Sequence, residues 1–132
     1  MKIIDAKDAI MGRLAAYAAK EAMRGEDIAI LNCEQAKITG RRLDIVEDFL
    51  KKRKKGGVVA APTNTSRVAF KIVKRTIRGM LPDYRMGRGR VAFKKIKCYN
   101  GTPKEFESAE KISLARQDKK GRFIRVSELS KI

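Results

Sequence analysis

Between residues 51 and 97 the chain carries sixteen cationic side chains and a single acid, Asp83. The cations are Lys51, Lys52, Arg53, Lys54, Lys55, Arg67, Lys71, Lys74, Arg75, Arg78, Arg85, Arg88, Arg90, Lys94, Lys95 and Lys97. The chemistry open to such a segment is the holding of phosphates. Lysine supplies a compact charge on a flexible stem. Arginine supplies a planar fork that meets phosphate oxygens in pairs and stacks on bases. Residues 1–50 hold 8 bases and 9 acids, and residues 98–132 hold 8 bases and 5 acids. Nearly all of the net charge of +17 therefore sits in the middle third. A surface charged only for solubility mixes its signs. This concentration points to a polyanionic partner, and all sixteen cations are candidate nucleic-acid contacts.

Spacing sharpens that reading. Arg67, Lys71, Lys74 and Arg78 are separated by four, three and four residues, which puts them on one stripe of a helix with Arg75 beside it. Met86-Gly87-Arg88-Gly89-Arg90 offers glycines that let a backbone approach a phosphate, followed by the N-terminus of a short helix over about Val91 to Lys95. It is not a dinucleotide-binding fingerprint, because Ala92 stands where the third glycine belongs. RNA is favoured over duplex DNA, since no groove-reading motif is present.

Catalysis finds little to work with. The chain contains no histidine, which removes the commonest general base and metal ligand. Cys33 and Cys98 lack the spacing of a zinc or redox site. They are expected as reduced core residues, with a disulfide left open. Asp5 and Asp8 read as turn and helix-capping residues. No catalytic residue, metal, cofactor or small-molecule substrate is expected. An RNA-modifying or nucleotide-dependent enzyme would rest on the βαβ start alone, and fold does not imply function.

The elements that must carry the cations follow from periodicity. Lys2–Asp5 reads as a strand. Met11, Leu14, Ala15, Ala18, Ala22 and Met23 give a helix over about Ala9 to Arg24, capped by Asp8 and ended at Gly25. Gly12 is expected to permit tight helix–strand contact. Ile28-Ala29-Ile30-Leu31 is a buried parallel strand, completing a βαβ unit. A second helix is expected over about Arg41 to Lys52, with Leu43, Val46, Phe49 and Leu50 inward. The run Lys51–Lys55 is expected as a frayed helix end or a mobile loop, and residues 56–65 as a loop. Ser66 is expected to cap a third helix to about Arg78, with Ala69, Ile72, Val73 and Ile77 on its core face. Pro82 blocks its continuation. Residues 96–99 and Phe123–Val126 read as strands.

The 132 residues suit one α/β domain with a small, mostly parallel sheet of about four strands. Residues 1–101 form its core and residues 102–132 a C-terminal extension, packed on that core or on a partner. Asp5, Lys7, Asp8 and Arg13 interrupt any signal-peptide core, and no run is long enough to span a membrane. A cytoplasmic protein with no membrane partner is expected.

Three segments carry a resemblance: Asp5-Ala6-Lys7-Asp8-Ala9-Ile10-Met11-Gly12-Arg13-Leu14-Ala15; Ile30-Leu31-Asn32-Cys33-Glu34-Gln35-Ala36-Lys37-Ile38-Thr39-Gly40; and Arg78-Gly79-Met80-Leu81-Pro82 through Gly87-Arg88 to Phe93-Lys94-Lys95-Ile96-Lys97 and Tyr99. Over about residues 2–101 the chain resembles the universal large-subunit ribosomal protein thirteen family in its archaeal form. The resemblance implies a three-layer α/β/α domain. It implies binding to large-subunit ribosomal RNA beside neighbouring ribosomal proteins, a role in subunit assembly, and no enzymatic activity. The stretch from Gly79 to Lys97 maps onto the family's RNA-facing segment. The histidine- and glycine-rich stretch of bacterial members is missing between about 53 and 66, and the tail after Thr102 departs from their pattern.

Overall fold

The computed structural model describes residues 1–55, 65–115 and 121–132. β1 (Lys2–Asp5), α1 (Met11–Met23) and β2 (Ile28–Leu31) form the expected parallel βαβ unit, with Ile4 opposite Ile30. All four residues of β2 are buried, which accounts for a run without a polar side chain. β4 (Ile96–Cys98) pairs with the far side of β2, and β5 (Ile112–Ser113) with the far side of β1. The sheet runs β4-β2-β1-β5 and is wholly parallel. The chain is thus one α/β domain on a four-stranded sheet, and the tail supplies one of its edges.

α1 buries Leu14, Ala15, Ala18, Ala19 and Ala22. Small side chains along this face let α3 (Ala69–Met80) lie close, and these two helices share the most extensive interhelical packing in the fold. Ala69, Val73 and Ile77 of α3 enter the same core. α4 (Gly87–Lys94) packs on α1 and β4. A second unit is built around a two-stranded antiparallel ribbon of β3 (Lys37–Thr39) and β6 (Phe123–Arg125). α2 (Arg42–Lys54) and α5 (Val126–Ser130) pack on β6. Phe49, Ile124 and Leu129 make its core, and Ile38 and Ile72 touch both cores.

The end of α1 follows from its sequence. Gly25 has φ of 98°, its N–H donates to Ala22 O at 3.1 Å, and Glu26 N–H donates to Glu21 O at 3.3 Å. This is the paired bonding of a left-handed glycine terminus. The start differs from expectation. Asp8 caps nothing: it has φ of 56°, and its carboxylate meets Lys37 Nζ at 3.2 Å and Arg125 Nη2 at 3.3 Å. Asp5 takes the expected turn role, accepting from Lys7 N–H at 3.0 Å. Gly12 permits no close contact, since an added Cβ would meet nothing within 4 Å.

α2 departs twice. Leu43 is 81% exposed, and Ile45 packs with Phe49 in its place. At 3.6 residues per turn Leu43 falls about 120° round the helix from Phe49, outside the buried arc. The cationic run does not fray: helix continues through Lys54. Glu47 Oε1 meets Lys51 Nζ at 2.8 Å one turn on, and lysines near a helix C-terminus complement its dipole. The loop expected over 56–65 lies outside the described residues except for Thr65.

Candidate nucleic-acid interface

α3 starts later than expected, and this re-sorts its cations. Ser66 does not cap it; the Ser66 hydroxyl accepts from Val68 N–H at 3.2 Å in the preceding turn. The first-turn donor Phe70 N–H is met instead by the Asn100 side-chain oxygen at 3.1 Å, from beyond β4. Arg67 therefore lies on the exposed approach to α3 and not on its stripe. Lys71, Lys74, Arg75 and Arg78 remain on the helix.

Between α2 and α3 opens a cleft of about 820 Å³. Among the described residues its lining includes the apolar Met11, Ile38, Ile45, Phe49 and Ile72 and the six cations Lys52, Lys55, Lys71, Lys74, Arg75 and Arg78, with Asp48 as the one acid. Six cations against one acid leave a local excess of five. A concave wall with that excess focuses its field on an anion and repels a second cation. Arg75 Nη1 donates to Thr65 Oγ1 at 3.1 Å, which holds the mouth of the cleft to α3.

The cationic surface continues past Pro82 through aromatic rings. Lys74 Nζ stands 5.0 Å from the centre of the Phe93 ring. The Arg78 guanidinium lies 4.6 Å from the centre of the Tyr84 ring, and that of Arg85 lies 5.6 Å away. The two rings are 6.0 Å apart and tilted by 60°. Arg85 Nε donates to the Tyr84 phenol oxygen at 3.4 Å. That bond, and then the charges of Arg85 and Arg78, hold the phenol below its ordinary value. Neither Tyr84 nor Phe93 is among the sixteen candidate contacts read from the sequence. Aromatics interleaved with arginines were the available signal.

The Gly-Arg stretch folds differently from expectation. Gly87–Arg90 is not a loop before a helix; it is the first turn of α4. Gly89 is buried, and a Cβ there would collide with the Pro82 and Asp83 carbonyls, 2.8 Å from the Asp83 carbonyl carbon. The missing side chain serves packing against the Pro82-Asp83 backbone. Arg88 and Arg90 project from this turn and are exposed.

Other expected contacts lie elsewhere. Lys95 Nζ donates to Gly25 O at 2.8 Å, completing the C-terminus of α1. Lys94, Lys95 and Lys97 line a separate hollow of about 320 Å³ with Met1, Asp27, Ile28 and Val91. Lys51 pairs with Glu47, and Arg53 Nη1 reaches the Ile132 carbonyl at 3.4 Å. Lys54 is exposed on the last turn of α2. The cysteines are free. Hydrogen bonding to the Cys98 thiol, with burial, pushes the Cys33 thiol far upward. Among the described residues no group of three or more His, Cys, Asp or Glu could hold a metal, and no helix is long and apolar enough to cross a membrane.

Fold and surface together define a small α/β protein with one concentrated cationic face. A family profile described as Ribosomal protein L13 matches residues 1–105. The large ribosomal subunit protein uL13 of Natronomonas pharaonis is 43% identical over 129 residues, covering 97% of this chain and 87% of that protein. The protein of the same name from Methanocaldococcus jannaschii is 42% identical over 138 residues, covering 99% and 96%. That from Methanopyrus kandleri is 39% identical over 134 residues, covering 97% and 83%. The chain belongs to the ribosomal protein L13 family, as the three sequence segments indicate.

Proposed function

We propose that the chain is a non-enzymatic structural constituent of the large ribosomal subunit in the cytoplasm. It binds large-subunit ribosomal RNA, sits beside other proteins of that subunit, and supports its assembly. The observation that carries this reading is the convergence of α2 and α3 on one cationic cleft, in a chain whose relatives are named as large-subunit proteins. Of the sixteen cations, the cleft group of Lys52, Lys55, Lys71, Lys74, Arg75 and Arg78 forms the centre of the site. Arg85, Arg88 and Arg90 extend it along α4, and Arg67 flanks the approach. Lys51, Arg53, Lys54, Lys94, Lys95 and Lys97 form a periphery, several of them held by contacts within the protein. Phosphate and sugar contacts on folded RNA dominate such binding, so shape outweighs base sequence.

Competition tests the reading. Binding to transcripts of the large-subunit RNA is measured against duplex DNA and an unrelated RNA of equal length. Preference for one large-subunit fragment, with affinity that falls steeply with salt, is the expected result. Equal displacement by all three would reduce the protein to a general polyanion binder and defeat the assignment.

A further inference from the structure

Tyr84 is a half-buried aromatic on an exposed turn. Its neighbours Pro82, Asp83, Arg85 and Met86 are all exposed, and its ring belongs to neither apolar core. The ring lies outside both apolar cores, packed on Phe93 and flanked by two guanidinium groups. We propose that Tyr84 is a stacking position for one unpaired base of the bound RNA, an inference that rests on the RNA-binding reading above.

The surroundings fit that use. Phe93 supports the ring at 6.0 Å, and Lys74 in turn lies over Phe93. Arg78 lies near the ring centre and Arg85 is bonded to the phenol oxygen. These contacts order the ring and both arginines before RNA arrives, which lowers the conformational cost of binding. A base stacked on the ring or on the Arg78 guanidinium brings its own phosphate within the cationic field of Arg78, Arg85 and Arg88. Every base has a π face, so the position selects an unpaired nucleotide and not a particular one. Duplex RNA, with its bases already stacked, is rejected there.

The alternative is that Tyr84 only holds Arg78 in place for a phosphate contact. The two differ in salt dependence and in what touches the ring. The full chain and its Tyr84→Ala and Tyr84→Phe variants are titrated with a large-subunit RNA transcript across a salt series, and each complex is irradiated for zero-length cross-linking. Stacking predicts a loss of roughly tenfold for Tyr84→Ala with an unchanged log–log salt slope. It predicts near-parental binding for Tyr84→Phe and a cross-link mapped to Tyr84 in the parent. Parental affinity in Tyr84→Ala would overturn it. So would a loss accompanied by a shallower slope with no cross-link at Tyr84. Lys71→Glu combined with Arg75→Glu separates this from the reading beneath it. If that variant binds like the parent while Tyr84→Ala loses affinity, the cleft assignment fails and the stacking position stands.

Discussion

Replacing Lys52, Lys71 and Arg75 together by glutamine removes three cations from the cleft and leaves both helices their buried faces. Each phosphate contact adds about 0.9 to the log–log salt slope on duplex and about 0.7 on single strands. Three lost contacts make the slope shallower by roughly 2 to 3. Carried from about 1 M salt down to about 0.15 M, that is on the order of a hundredfold in affinity, or about 2.7 kcal/mol. Lys95→Gln is the comparison. Its ammonium is bonded to Gly25 O at 2.8 Å, so this peripheral cation acts chiefly on α1. It should leave the slope unchanged and lower folding stability by about 0.5 to 1 kcal/mol. Fluorescence anisotropy with a labelled large-subunit RNA fragment gives the slopes, and urea unfolding gives the stability. An unchanged slope in the triple variant would refute the cleft as the RNA site. A Lys95→Gln slope change as large as that per cleft residue would refute the division among the cations.

Gly89→Ala should destabilise the fold by about 1 to 3 kcal/mol in urea unfolding, because the added carbon meets rigid backbone at Pro82 and Asp83. Gly12→Ala, with open space around its Cβ, should instead stabilise by about 0.5 kcal/mol, and equal effects would contradict both assignments. Hydrogen bonding to Lys37 holds the Asp8 carboxyl below its ordinary value of 3.8, so its stabilising contribution is complete above that pH and fades as pH falls further. The stability difference between the parent and Asp8→Asn should therefore be constant from about pH 5 upward and shrink in acid; a difference that grows on acidification would reverse the sign. Cys33 is fully buried with its thiol pushed upward, so in the native protein a thiol reagent should label Cys98 first and reach Cys33 only on unfolding. Native-state labelling of Cys33 at a free-thiol rate would contradict the packing.

The parts of the fold that were legible in sequence are those fixed by near neighbours. β1, α1 and β2 were readable because their apolar periods are regular and Gly25 ends the helix locally. α3 was placed too early because its start is set by Asn100, 30 residues away in sequence. On α2, Val46 and Phe49 face inward as expected and Leu43 does not, because the partners that fix this face, Ile124 and Leu129, lie more than seventy residues along the chain. The packing role of Gly89 is invisible in sequence for the same reason: only the folded chain brings the Pro82 and Asp83 carbonyls against it. For the candidate site, composition points to the segment, and folding sorts its members. Lys95 and Lys52 are indistinguishable in sequence, yet one bonds to a backbone carbonyl at the end of α1 and the other lines a cleft.

The sorting has a physical logic in where the acids lie. Glu21 is buried and bonds Lys2 and Arg24; Asp8 bonds Lys37 and Arg125; Glu128 bonds Arg42. Each of these pairs ties cations from outside residues 51–97 into the scaffold. The acid within that segment, Asp83, faces its own turn, where it accepts from Arg85 N–H at 3.0 Å. The core and its ion pairs thus balance themselves, while α3 and the start of α4 are left with cations and few local counter-charges. That imbalance repels within the free protein and is relieved when phosphates enter. Added salt therefore acts in opposite directions on the two states: it screens the repulsion in the free chain and reduces the gain from counterion release on RNA. On the proposed reading, a surface that the fold leaves electrostatically incomplete is completed by the RNA it binds.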